Sequence, residues 1–145
     1  MSDSPQSYEN HAKLVPMFHF VAFGLLMVAF LWFTYRMVTD FSVGRMMFVV
    51  LIVGVILVAF FARLFALGVQ DRVIRLEEQL RMARLLSPEL QGRIGEISTE
   101  HFIGLRFASD EELEELTTRV LNGEFPSRKE VKQAVRNWRA DNERI

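Results

Sequence analysis

Residues 46–86 read MMFVVLIVGVILVAFFARLFALGVQDRVIRLEEQLRMARLL, and the fold turns on this stretch. Its first 17 residues carry no formal charge, and after Arg63 a further apolar run covers 64–69. A bilayer core of ~30 Å is crossed by ~20 mainly apolar helical residues, so residues 46–68 are long enough to span one. Charged residues then become frequent, yet no Pro occurs before Pro88. One helix of about 41 residues is therefore expected, ~60 Å long at 1.5 Å per residue. In its polar part Val69, Val73, Leu76, Leu80 and Ala83 follow spacings of 4, 3, 4 and 3. That is an a/d seam of two heptads. Asp71–Arg75 and Glu77–Arg81 add i,i+4 pairs with the acid first, the favourable order. Two heptads fall short of the three or four that establish a coiled coil. The seam is expected to pack on later helices of the chain, with homodimerisation as the alternative, and Val73, Leu76 and Leu80 are interaction candidates.

Towards the N-terminus, residues 14–35 form a second uncharged run of 22 residues. The expected spans are 16–38 and 46–68, with Pro16 suited to a first helical turn. The chain's averages hide this division: 145 residues, 50% hydrophobic, net charge -1, with a mean hydropathy of +0.17. Of 17 Lys and Arg, only Lys13, Arg36 and Arg45 precede residue 63. A soluble domain of this size has no core thick enough to enclose two such segments. Residues 1–15 hold one Lys against two acids, and no small-residue cleavage pattern follows the apolar run. The first span is thus expected to persist rather than act as a removable signal.

Arg36 and Arg45 flank the connection, whereas Lys13, Arg63, Arg72, Arg75, Arg81 and Arg84 lie on the other side. The positive-inside rule then puts both termini in the cytoplasm, with 39–45 as an external turn. Trp32, Phe33 and Tyr35 are expected at the outer headgroup level. Neither span carries an acid or a strong base well inside it, unlike transporters and proton relays. His19 is the titratable residue within a span. It reads as an interfacial hydrogen-bonder and only weakly as a haem or metal ligand, with His11 as a conceivable second ligand. Gly24, Ala29, Gly54, Ala59, Ala62 and Ala66 are candidates for close helix approach.

Beyond residue 86, Ser87-Pro88, Ser98-Thr99-Glu100, Ser109-Asp110-Glu111-Glu112 and Ser127-Arg128-Lys129-Glu130 each resemble a helix start. The last two have capping-box form, Ser with Glu three residues later. Gly123 suits a C′ position and Pro126 bars continuation. Helices are expected at 88–96, 99–105, 110–122 and 128–139, with no strand periodicity. The chain should be all-α. Residues 110–122 start acidic, as the helix dipole favours, and carry Leu113, Leu116 and Val120 on one stripe. Residues 128–139 place Lys129, Lys132, Arg136 and Arg139 at spacings of 3, 4 and 3. This reads first as a solvated basic face. Its alternative is a face for anionic headgroups or an acidic partner, each cation adding ~1 kcal/mol near a negative leaflet. A DNA-reading helix–turn–helix is disfavoured, because the acidic first helix would repel phosphate.

Zero cysteines remove disulfides, thiol catalysis and Cys-ligated metals. No HExxH, GxSxG, phosphate-binding Gly loop or dinucleotide fingerprint occurs. His101 stands alone in the polar half. Glu111 and Glu115 lack a desolvating pocket that would tune them for acid–base work. No catalytic residue and no cofactor is expected, unless a partner completes a site.

The strings Phe18-His19, Val69-Gln70-Asp71-Arg72-Val73-Ile74-Arg75-Leu76-Glu77-Glu78, Leu105-Arg106-Phe107-Ala108-Ser109-Asp110-Glu111-Glu112-Leu113 and Asn137-Trp138-Arg139 cover much of the chain. With Asn10-His11, Pro16 and Ser127-Arg128-Lys129-Glu130, they resemble a bacterial family of small two-span membrane proteins known only as a domain of unknown function. The resemblance implies an integral membrane protein and carries no reaction, cofactor or partner; the expected location is the bacterial inner membrane. The expected divisions are a polar segment 1–15, a hairpin 16–68, a helical extension 69–86 and a cytoplasmic helical domain 87–145. The expected role is a non-catalytic accessory or scaffolding subunit. It would contact membrane lipids and either other membrane subunits or further copies of itself, and no nucleic acid. The alternatives are an anionic-lipid sensor and an electron-transfer subunit with a cofactor at His19.

Overall fold

The structure, a computed structural model, describes residues 6–9 and 15–141. Its regular elements among those residues are all helical. The described residues fall into two compact units, one of 15–67 and one of 6–9 with 68–141. The separately expected extension 69–86 and domain 87–145 therefore belong to one unit.

In the first unit Pro16 leads into a π-helical turn, Met17–Ala22, which continues as α1, Phe23–Thr39. Helix α2 runs from Val43 to Leu85 and begins in this unit. The turn between α1 and α2 is tighter than the expected 39–45. Ser42 Oγ accepts from the Arg45 amide at 3.2 Å, drawing residues 43–45 into α2. The Asp40 carboxylate lies 2.7 Å from Arg45 and 3.8 Å from Arg36. Phe33 and Phe48 stack at 5.1 Å across the helix pair. α1 buries no residue, and along residues 43–67 of α2 only Ile52 is buried.

At 43 residues α2 extends for ~65 Å, as the lack of a breaker led one to expect. It stops because Pro88 forces Ser87 out of helical geometry, to ψ 152°. The segment expected as one helix over 88–96 divides into α3, Pro88–Gln91, and a 3₁₀ turn, Ile94–Glu96. Then follow α4, Thr99–Leu105, α5, Asp110–Leu121, and α6, Arg128–Ala134. Ser98 Oγ caps α4 by accepting from the His101 amide, and Gly123 takes its C′ position after α5 at φ +77°. Met82, Phe102, Leu105, Phe107, Leu113 and Val131 form the sealed centre of the core. Helix α4 meets α6 at Gly104, where a Cβ would come within 2.7 Å of Val131 Cβ. The absent side chain is what lets these two backbones approach.

α6 ends at Ala134, five residues short of the expected 139. Val135 is extended (φ −66°, ψ 123°), and Trp138 forms an antiparallel bridge with Ala108. The Ser109 amide donates to Asn137 O at 3.1 Å and the Arg139 amide to Phe107 O at 2.8 Å. Trp138 packs its ring on Phe107 at 4.7 Å. A helical pattern in the sequence thus yields to tertiary partners that satisfy the same backbone groups.

Glu112 organises this junction. Its carboxylate accepts from the amides of Ser109 (3.4 Å), Arg136 (3.2 Å) and Asn137 (3.1 Å). It therefore closes the α5 capping box and also tethers the chain after α6. Glu112→Gln keeps the shape but loses the charge and one acceptor oxygen. The expected cost is about 1–2 kcal/mol, since hydrogen bonds to charged groups are the stronger kind. The thermal unfolding midpoint of the full chain in detergent would show it, with the exposed Glu114→Gln as the control expected to change little.

Candidate functional site

In the unit of residues 68–141, α2 carries two different faces. Ile74, Glu78, Arg81 and Met82 are buried against the small helices. The a/d seam is open: Val69 is 63% exposed, Val73 46%, Leu76 61% and Leu80 68%. At 3.6 residues per turn the two faces point about 150° apart. This corrects the expectation that the seam would pack on the chain's own later helices. Those helices take the opposite face, where polar anchors as well as apolar residues are available.

The anchors are ionic. Arg81 donates to Glu78 Oε2 at 3.0 Å, to Asp110 Oδ1 at 2.9 and 2.6 Å, and to Ala108 O at 2.8 Å. Arg81 therefore pairs with Glu78 and Asp110 rather than forming the expected i,i+4 pair with Glu77. The other Glu78 oxygen accepts from Arg139 at 3.2 Å. Burial pushes the Glu78 carboxyl above the usual carboxylate range, and the charges of Arg81 and then Arg139 only partly oppose this. A cleft of about 290 Å³ beside this cluster is lined by Arg81, Arg84, Leu85, Asp110 and Arg139. The Arg81 guanidinium is already committed to protein oxygens, and the Asp110 carboxylate opposes an anion there. The arrangement is a structural joint between α2, the start of α5 and the extended segment after α6.

The basic stripe does not exist as one face. Lys129 is exposed on α6, whereas Lys132 is buried with its ammonium 5.2 Å from the centre of the Phe107 ring. Arg136 lies beyond the helix end, 3.9 Å from Glu115, and Arg139 turns to Glu78. The early stop of α6 is the physical reason, because helical spacing no longer aligns residues 136 and 139 with 129 and 132.

His19 Nδ1 lies 3.1 Å from the Val15 amide nitrogen and 3.0 Å from Val15 O, and the Phe18 ring stands edge-on at 5.3 Å. The imidazole thus serves a backbone group at the helix start, the role expected of a hydrogen-bonder. His11 and Lys13, used above for shared ligation and for orientation, lie outside the described residues. Trp32 and Tyr35 are exposed, with ring centroids 6.4 Å apart. Among the described residues no group of His, Asp and Glu could hold a metal ion. His101 braces two loops instead, with Nε2 2.9 Å from Phe125 O and Nδ1 3.0 Å from Ser98 Oγ.

Reading the heptad alone missed Glu78, Arg81 and Asp110 as a cluster. Its signal was the second apolar pair, Ile74 and Met82, on the side of α2 away from the seam. The site that remains open on this unit is therefore the Val69–Val73–Leu76–Leu80 seam.

No curated protein and no solved structure matches the chain. The profile of a family of unknown function, DUF6526, matches residues 1–145. All-helical, with two long apolar helices ahead of smaller ones, the chain belongs to that family of unknown function, DUF6526.

Proposed function

We propose that this chain is a non-catalytic integral membrane protein of the bacterial inner membrane, acting as an accessory or scaffolding subunit of a larger membrane complex. The observation that carries the reading is uncovered apolar surface. Met17–Thr39 and Val43–Leu85 are long and apolar enough to cross a membrane, and among the described residues their most apolar windows are 0% and 6% buried. Soluble proteins rarely leave more than a few hundred Å² of contiguous apolar surface in water. Lipid and neighbouring subunits are the natural cover.

Gln6 and Asp141 support a two-span hairpin with both termini in the cytoplasm. The Asp141 amide donates to Gln6 Oε1 at 2.8 Å, and Gln6 Nε2 reaches Asp141 O at 3.5 Å. An even number of crossings lets these residues meet on one side of the bilayer, and the arginines beyond residue 62 favour the cytoplasmic side. Trp32 and Tyr35 would then lie in the outer headgroup layer. The dispersal of Lys129, Lys132, Arg136 and Arg139 removes the continuous face on which a headgroup sensor would rely. The bond from Val15 gives His19 a role without an electron-transfer cofactor.

Extraction of the native protein in mild detergent, followed by native mass spectrometry, tests this reading. The expected result is a chain that resists alkaline extraction from membranes and is recovered with further membrane subunits. Recovery without any other protein would overturn the subunit role, and release into the aqueous phase would overturn the membrane assignment.

A further inference from the structure

We propose that residues 69–83 of α2 form a parallel, in-register, two-stranded coiled coil with a second copy of this chain. The inference rests on the membrane reading above for its orientation, and it names an occupant for the open seam. In heptad terms Val73 and Leu80 are a positions, while Val69, Leu76 and Ala83 are d positions. Of these, Val73 at a with Leu76 at d is the pairing that favours two strands. The residues that bury α2 against the small helices, Ile74, Glu78, Arg81 and Met82, occupy b, f, b and c. The unit therefore packs on the back of the helix and leaves the seam accessible to a second helix.

The flanking charges supply the second argument. Arg72 is a g position and Glu77 is the e position five residues later. Both are exposed, and neither forms an ion pair within the chain among the described residues. In a parallel pair, g of one strand faces the following e of its partner. Arg72 of each copy then meets Glu77 of the other, and the pairing occurs on both sides of the seam. Membrane insertion in a common orientation makes the two seams run the same way. Two heptads are short for a free coiled coil, but tethering through adjacent spans raises the effective concentration of the second strand without any new contact.

The lack of cysteine in the chain makes the test direct. Val73→Cys and Leu80→Cys, each alone in the full chain, are oxidised gently in native membranes. Arg75→Cys, off the seam, is the control. The expected result is a disulfide-linked dimer for the two seam variants, formed several-fold more readily than for the control. Arg72→Glu should lower the yield of the Val73→Cys dimer, and adding Glu77→Arg should restore it. Seam variants that stay monomeric, or that link no better than Arg75→Cys, overturn the proposal. Linkage of residue 73 to a different subunit overturns it while leaving the accessory-subunit reading intact. A linked homodimer recovered with no other protein upholds it and removes that reading instead.

Discussion

Gly104→Ala is expected to destabilise the full chain by about 2 kcal/mol, within the range for overpacking a sealed core. The sign is not trivial, because Ala in a helix interior is intrinsically favoured over Gly by ~1 kcal/mol. Here the added methyl would lie 2.7 Å from Val131 Cβ, 2.8 Å from Val131 Cγ1 and 3.3 Å from Arg128 O. None of these atoms is the free end of a flexible side chain. Val131 is β-branched, fully buried and stiff at χ1, and Arg128 O belongs to the α6 backbone. The helices have to separate, and the clash outweighs the propensity gain. Thermal unfolding in detergent micelles gives the value. Val131→Ala in the Gly104→Ala background should recover part of the loss, although alone it empties core volume. Such non-additivity is the mark of two residues in contact. A Gly104→Ala protein more stable than its parent would refute the close crossing of α4 and α6.

Arg81→Met is expected to cost more, about 3–4 kcal/mol, because it leaves a buried carboxylate without its main counter-charge. Glu78 would keep only Arg139, at 3.2 Å and half exposed. Its carboxyl is already held above the ordinary range by burial, and loss of Arg81 removes the largest influence opposing that shift. The folded state then takes up a proton more readily than the unfolded one. Stability gained from that proton is fully present below the ordinary carboxyl value of 4.5 and is lost as pH rises through the raised folded value. The penalty of Arg81→Met should therefore shrink as pH falls from 8 to 5, read from unfolding midpoints of variant and parent at each pH. Glu78→Gln in the same background should restore much of the loss at neutral pH. An equal penalty at both pH values would count against Glu78 as the source.

Much of the fold was legible in the sequence. The uncharged runs, the unbroken polar extension and the Ser-led starts located the π-helical turn with α1, then α2, α4 and α5, to within a few residues. The misses have physical causes. Residues 135–139 carry a helical pattern, but Glu112 and the backbone of residues 107 and 109 compete for the same polar groups, and no periodicity reveals a partner more than 20 residues away. The seam was legible as a pattern, whereas the face of α2 that packs on the small helices was not, because a heptad states only that apolar residues align. The choice between faces of α2 was made by Glu78 and Arg81, whose partners Asp110 and Arg139 are distant in sequence. Gly104 gave no local sign, since its role exists only where α6 crosses.

The bond between Glu78 and Arg139 joins residues 61 positions apart. During translation the acid on α2 emerges well before the arginine that answers it, and the Trp138 ring that covers Phe107 arrives at almost the same late moment. The interior of this unit is therefore complete only once residues 138 and 139 have been made. A polypeptide released before residue 138 would hold an unanswered carboxylate and a bare aromatic patch, the features that proteases and chaperones recognise in incomplete chains.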